Sequence, residues 1–379
     1  MSFYMAATRK HNKSLIVTGR NVSPALEKAL DGLGHTDGTI EKIPASIAAF
    51  SSGESFAELF FGDEDQYDQN AEKLKGANLI IVQSVSAPVA DSAMELLLAV
   101  TTAKRYGAAS VTAVMPFAAF ARQDREFERR FASVAAEDFA KLLKAAGADQ
   151  IVTVDLHSKA AEAFYKKHFG ADKAHFLGTA QLAAEKLAGK TGDKTKIVIG
   201  APDGADKPHD RGQARAAAVA KAAGLPEKGA LFKIWKEHTG INATKINRFE
   251  GDVAGKDCIV IDDMTDSGGT LKNAARILKK NGAKTVTCYV THGLFSGNAL
   301  ERLVTDKIAG GSYTIDRLAV SDTAPDVLKK LERLKAQYPG LEKRVTVLST
   351  ADLIADKIKS LHSAEQKPQA QKTNGLKRG

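Results

Sequence analysis

The residues best equipped for chemistry stand in one run, Cys258-Ile-Val-Ile-Asp262-Asp263-Met264-Thr265-Asp266-Ser267-Gly268-Gly269-Thr270. An apolar stretch of strand type ends in two adjacent carboxylates. A third follows, and a Ser-Gly-Gly-Thr turn then opens a helical pattern. The glycines let successive backbone N–H groups converge on an anion, and the helix start adds positive potential. The hydroxyls of Ser267 and Thr270 can donate to the same anion. Asp262 and Asp263 are placed to accept from sugar hydroxyls or to hold magnesium. Together these groups make a clamp for a ribose phosphate. A capped turn needs one side-chain acceptor, and three carboxylates with a Gly-Gly turn exceed that requirement.

The elements that must position this loop alternate. Asn78–Gln83, Ser110–Met115, Gln150–Asp155, Lys196–Gly200, Ala230–Trp235, Asp257–Ile261 and Lys284–Val290 read as short buried strands. Helical patterns lie between them. Met94, Leu97 and Leu98 are spaced i, i+3, i+4 ahead of Gly107, and a second helix runs from about Gly269 to Lys280, closed by Gly282. Strand, loop and helix repeated in this way specify an α/β protein with mostly parallel sheets, whose ligands bind beyond the carboxyl ends of the strands.

Composition narrows the class. The 379 residues are 44% apolar and 26% charged, which suits roughly two globular domains at about 150 residues each. No window approaches the roughly 18 consecutive apolar residues of a membrane span, and no apolar h-region follows the first basic residues, so neither a membrane nor a secretory signal is expected. Two cysteines, Cys258 and Cys288, exclude a disulfide scaffold, and both fall in apolar strands as core residues; a cytoplasmic setting is expected. The net charge of +9 is concentrated in the tails: residues 1–13 carry +3 and residues 363–379 another +3. The body is therefore only weakly basic, and nucleic acid is not an expected partner. Gly189-Lys190-Thr191 imitates the end of a Walker loop, but Ala184 stands where its first glycine would be.

The clamp resembles the phosphoribosyl-diphosphate loop of the type I phosphoribosyltransferase fold. Further stretches narrow the resemblance to the ribose-phosphate diphosphokinase family: Phe50-Ser-Ser-Gly-Glu54, Gln83-Ser-Val-Ser-Ala-Pro88 with Met94-Glu95-Leu96, Ala121-Arg-Gln-Asp-Arg125, Val154-Asp-Leu-His157, Pro202-Asp203 and Thr291-His-Gly-Leu-Phe-Ser-Gly-Asn298. It covers roughly residues 14–362. The fold it implies is two doubly wound, mostly parallel-sheet domains of phosphoribosyltransferase type. The expected division is a disordered basic tail at 1–13, an ATP-binding domain at 14–172, a ribose-5-phosphate-binding domain at 173–362 and a disordered basic tail at 363–379.

The reaction the resemblance implies is transfer of the diphosphoryl group of ATP to the 1-hydroxyl of ribose 5-phosphate, giving 5-phosphoribosyl 1-diphosphate and AMP. By the same carry-over Arg122, Gln123, Asp124 and His157 bind ATP, with Phe50 and Glu54 holding adenine from a neighbouring subunit of a homo-oligomer. Asp262, Asp263, Asp266, Ser267, Gly268, Gly269 and Thr270 bind ribose 5-phosphate. His157 and Asp203 hold Mg2+. Lys236 acts on the transferring group, and His238 stands where the family has an arginine. A neutral imidazole supplies less fixed charge than a guanidinium. Ser52 replaces a family aspartate, residues 201–206 read Ala-Pro-Asp-Gly-Ala-Asp, and the 126–134 loop is more acidic and aromatic than the family's. These departures motivate an alternative, a non-catalytic regulatory subunit of such a synthetase. A third reading is a phosphoribosyltransferase, which would need only one such domain.

Overall fold

The computed structural model describes residues 13–34, 39–62, 64–126, 129, 131–188, 193–202, 211–226, 228–240 and 243–366. Two parallel sheets organise the chain, with a small hairpin beside the first. The first half supplies β1 (Ser14–Thr18), β2 (Ile40–Lys42), the hairpin β3 (Ala45–Ala49) and β4 (Ser55–Leu59), then β5 (Asn78–Val82), β6 (Ser110–Met115), β7 (Gln150–Val154) and β8 (Ala174–Leu177). The second half supplies β9 (Ile197–Gly200), β10 (Leu231–Gly240), β11 (Ala243–Glu250), β12 (Asp257–Thr265), β13 (Thr285–Gly293), β14 (Arg317–Ser321) and β15 (Val345–Leu348). Every strand expected from the sequence forms, most to within a residue or two at each end.

The first sheet runs β2-β1-β5-β6-β7-β8 and the second β11-β10-β9-β12-β13-β14-β15. All pairs are parallel except β10 with β11. Strand order reverses between β1 and β5 in the first sheet and between β9 and β12 in the second. Each reversal opens a crevice at the strands' carboxyl ends. Both faces of both sheets are covered, which is why the strands read as unbroken apolar runs. Cys258 and Cys288 are buried in the second core, and burial pushes both thiols up, so neither is a nucleophile near neutral pH.

The expected division shifts at both of its ends. β8 pairs with β7, so the first sheet extends past residue 172 to Leu177. The helix Ala351–Gln366 leaves the second domain and returns to the first, where Ile354, Ala355, Ile358 and Leu361 join Leu26, Leu30 and Leu33 of the helix Pro24–Leu33 in one core. Its apolar residues recur at helical spacing, and the face they form was already the right shape for a second helix. Near its end His362 is hydrogen-bonded on both ring nitrogens, Nδ1 to Ser14 Oγ and Nε2 to Thr39 Oγ1, each at 2.7 Å. The helix therefore runs beyond 362, into the stretch expected as a tail. The rest of that tail, and residues 1–12 of the other, lie outside the described residues. Lys13 pairs with Glu41 and belongs to the folded body. Among the described residues no helix is long and apolar enough to cross a membrane.

Truncating a fully buried isoleucine removes transfer free energy and leaves a cavity. Ile358→Ala is expected to lower the free energy of unfolding by about 2–5 kcal/mol, read as a lower urea midpoint. An unchanged midpoint would mean that the returning helix does not contribute to the first domain's stability.

Candidate active site

The site assembles where the carboxyl ends of the two sheets face each other. β12 carries Asp262 and Asp263 and continues to Thr265, further than its apolar run suggested. Gly268 then takes a left-handed conformation (φ +77°) as the N-cap of the helix Gly269–Lys280. A Cβ there would approach Leu303 Cδ1 to 2.7 Å, so both backbone and packing demand glycine. At Gly269 a Cβ would meet only Ser267 Oγ, at 3.8 Å, and would otherwise project into open space. That space is part of a cavity of about 880 Å3, at the upper end of the size of small-molecule sites.

The structure brings most of the expected residues to this cavity. Asp262, Asp263, Asp266 and the Ser267–Thr270 turn form one wall. Arg122, Asp124 and His157 of the first domain form the opposite one. Contacts join the walls: His157 Nδ1 meets Asp263 Oδ2 at 2.7 Å, and Arg122 Nη1 lies 3.5 Å from Asp266 Oδ2. Arg122 Nε also donates to Met264 Sδ at 2.8 Å. Gln123 lies next door, accepting from Ser133 Oγ at 2.7 Å and lining a second cavity of about 470 Å3 that shares Arg122, Met264 and Asp266 with the first.

Electrostatics follow from those contacts. Burial alone would raise the Asp263 carboxyl, but the His157 hydrogen bond and the Arg215 guanidinium 3.5 Å away outweigh it and hold the group well below the usual carboxylate range. The Ser296 hydroxyl and the Arg122 charge likewise hold Asp266 low. Asp155, two residues before His157, leaves β7 with φ +38°, an uncommon conformation for a non-glycine residue. Its Oδ2 accepts from Thr179 Oγ1 at 2.5 Å and from Thr291 Oγ1 at 2.7 Å, and these bonds hold the bend that presents His157.

Phe50 and Glu54 do not line this cavity. They close the β3–β4 hairpin, where the Phe50 N–H donates to the Glu54 carbonyl at 2.8 Å and the Phe50 ring, 58% exposed, stacks on Phe56 at 4.5 Å. Lys236 and His238 stand on β10, paired in register with Ile246 and Thr244 of β11. The polar stretch from Lys236 to Arg248 is strand on either side of residues 241–242. An edge hairpin tolerates charged residues on both faces, so apolar alternation does not announce it. Asp203 lies outside the described residues. Among those described, no group of three or more metal-ligating side chains forms.

Sequence reasoning missed Arg211 and Arg215. They stand one turn apart on the helix Arg211–Ala222 and both line the cavity. Two arginines at i, i+4 opening an alanine-rich helix after a strand of the second sheet were the available signal.

The chain is similar to known proteins over most of its length. Residues 39–147 match the N-terminal domain of ribose phosphate pyrophosphokinase, and residues 203–369 match the phosphoribosyl synthetase-associated domain. The ribose-phosphate pyrophosphokinase of Pasteurella multocida is 33% identical over 305 residues, 80% of this chain and 87% of that one. The chain belongs to the ribose-phosphate pyrophosphokinase family. The Shewanella oneidensis member is 34% identical over 80% of this chain and 87% of its own. The crystal structure of phosphoribosylpyrophosphate synthetase from Mycobacterium smegmatis superimposes with a TM-score of 0.71 at 28% identity, covering 93% of this chain and all of that one. The chain thus shares the mixed α/β, mostly parallel-sheet fold of that synthetase.

Beneath the cavity, His292 is fully enclosed. Its Nε2–H donates to the Val154 carbonyl at 3.1 Å, and Nδ1 faces Thr323 Oγ1 at 2.8 Å. Burial lowers its pKa, and the charges of Asp155 and Asp263 oppose that shift only in part. The fold therefore stabilises the neutral ring. That contribution is complete above the unfolded value of about 6.5 and is lost as pH falls through it towards the lower folded value. The thermal midpoint is expected to drop between pH 7.5 and 5.5, with a shallower slope in His292→Gln. Equal slopes would show that His292 does not drive the acid sensitivity.

Proposed function

We propose that the seam cavity makes 5-phosphoribosyl 1-diphosphate and AMP from ribose 5-phosphate and ATP, the reaction of its family. The observation that carries this reading is the facing of the Ser267–Thr270 anion cradle and the carboxylates of β12 by Arg122 and His157 across one cavity. In this assignment the backbone N–H groups of the cradle and the hydroxyls of Ser267 and Thr270 hold the 5-phosphate. Asp262, Asp263 and Asp266 accept from the sugar side. That arrangement leaves the anomeric hydroxyl directed towards the first domain, where Arg122, Gln123, Asp124 and His157 hold the triphosphate. Phe50 and Glu54, away from the cavity on their own chain, take adenine from a neighbouring copy in a homo-oligomer.

In the same reading His157 and Asp203 would hold Mg2+. His157 engages a carboxylate through Nδ1, which fixes the ring and leaves Nε2 as the ligating atom. When bound, the ion neutralises triphosphate charge and polarises the β-phosphorus. The residues of the chain then do the rest. Arg122 and Lys236 stabilise the negative charge that develops as the anomeric oxygen attacks and AMP leaves. His238, beside Lys236 in sequence, adds charge only when protonated.

A phosphorus NMR time course with the protein, ribose 5-phosphate, ATP and Mg2+ tests the reading. AMP with a new sugar diphosphate supports it, whereas ADP with a sugar bisphosphate would place the attack on the wrong phosphorus. Absence of turnover, with co-purification of an active synthetase, would favour the regulatory subunit. Two variants probe the roles. Lys236→Ala is expected to lower kcat by about 100-fold or more with KM little changed. Gly269→Ala should leave the thermal midpoint unchanged or higher, since alanine favours the helix, yet raise KM for ribose 5-phosphate at least about tenfold by filling the cradle. An unaltered KM would move the phosphate elsewhere.

A further inference from the structure

We propose that Arg215 is a positioning residue for this reaction, acting through Asp263 on His157. The inference rests on the function proposed above and concerns a residue outside its assigned set. Asp263 divides its two oxygens between partners from different elements. Oδ2 meets His157 Nδ1 at 2.7 Å, and Oδ1 lies 3.5 Å from Arg215 Nη1. The Arg215 and Asp263 side chains are only 10% and 8% exposed, so their charges face each other with little water between them. A carboxylate bound on one oxygen alone can pivot, and one bound on both is fixed, along with the ring that leans on it.

The helix that carries Arg215 also reaches the other side of the same histidine. One turn earlier, Arg211 Nη1 donates to the carbonyl of Leu156, the residue before His157, at 2.7 Å, and its Nη2 pairs with Glu162. A single helix of the second domain thus grips the His157 segment of the first by its backbone and by its carboxylate partner. Arg215 also lines the cavity, so a direct contact with ATP phosphates is the competing role, and the two differ in what they do to KM.

The test compares wild type, Arg215→Met and Arg215→Lys in the AMP-release assay, with unfolding midpoints measured alongside. Arg215→Met is expected to lower kcat by about 30-fold or more, as loss of alignment does, with KM for both substrates within about twofold. Arg215→Lys should recover part of that loss, and millimolar guanidinium should partly rescue Arg215→Met. A raised KM for ATP at unchanged kcat, or full activity in Arg215→Met, would overturn the inference. The His157 ring, followed by nitrogen-edited NMR without substrates, reports the same link whatever the turnover. Its signals should shift or broaden in Arg215→Met and return in Arg215→Lys. An unperturbed ring in a folded Arg215→Met sinks the proposal, whereas absence of AMP from the wild type would fall on the proposed reaction.

Discussion

The contact between His157 and Asp263 sets the terms for the rest of the molecule. Asp263 is a buried carboxylate, and an unpaired buried charge costs several kcal/mol. One of its two partners belongs to the other domain. Asp263 therefore has both of its partners only when the first domain is in place. The surrounding bonds obey the same logic: Thr291 of β13 satisfies Asp155 after β7, and His292 donates to Val154. Domain placement and site chemistry are one problem, solved by aiming the carboxyl ends of two parallel sheets at each other.

The crevices at the two strand-order reversals differ among the described residues. At the β1–β5 reversal Gln83 occupies the crevice, and its Nε2 donates to Glu95 Oε2 at 2.9 Å while Arg20 pairs with Oε1 at 2.9 Å. Gly19 permits this, since a Cβ there would fall 2.0 Å from Gln83 Oε1. A polar plug fills the space a ligand would take. At the β9–β12 reversal the described residues leave a cavity of about 880 Å3, with Gly268 and Gly269 in its wall. The same winding yields a filled crevice in one sheet and a cavity in the other, and the difference lies in a few residues at the strand ends.

What the sequence disclosed follows the physics of each signal. The buried strands were legible because parallel strands covered on both faces are continuous apolar runs. The Ser267–Thr270 turn and the helix after it were legible because glycines, hydroxyls and a helical pattern stand there in immediate succession. The β10–β11 hairpin was not, because an edge strand need not alternate. The returning helix Ala351–Gln366 looked like part of the second domain because its apolar face says that it packs, but not on which partner. Arg215 escaped for a related reason. A lone arginine on a helix is usually solvated, and its role depends on a carboxylate 48 positions away, a pairing that only the folded chain makes visible. The role proposed for Phe50 and Glu54 likewise needs a second copy to complete it.

The seam and the returning helix divide two tasks between them. A polar contact contributes about 0.5–1.5 kcal/mol net, because its groups were hydrogen-bonded to water beforehand. Burying one isoleucine contributes about 1.5–3 kcal/mol. Ile354 and Ile358 alone thus rival several seam bonds, and their helix joins the end of the second domain's chain to the core of the first. With the domains held together by that apolar strap, the seam does not have to supply the free energy of association. Its residues can be selected for reach, charge and alignment, and carboxylates, three arginines and two histidines can sit where a purely structural interface would carry leucines.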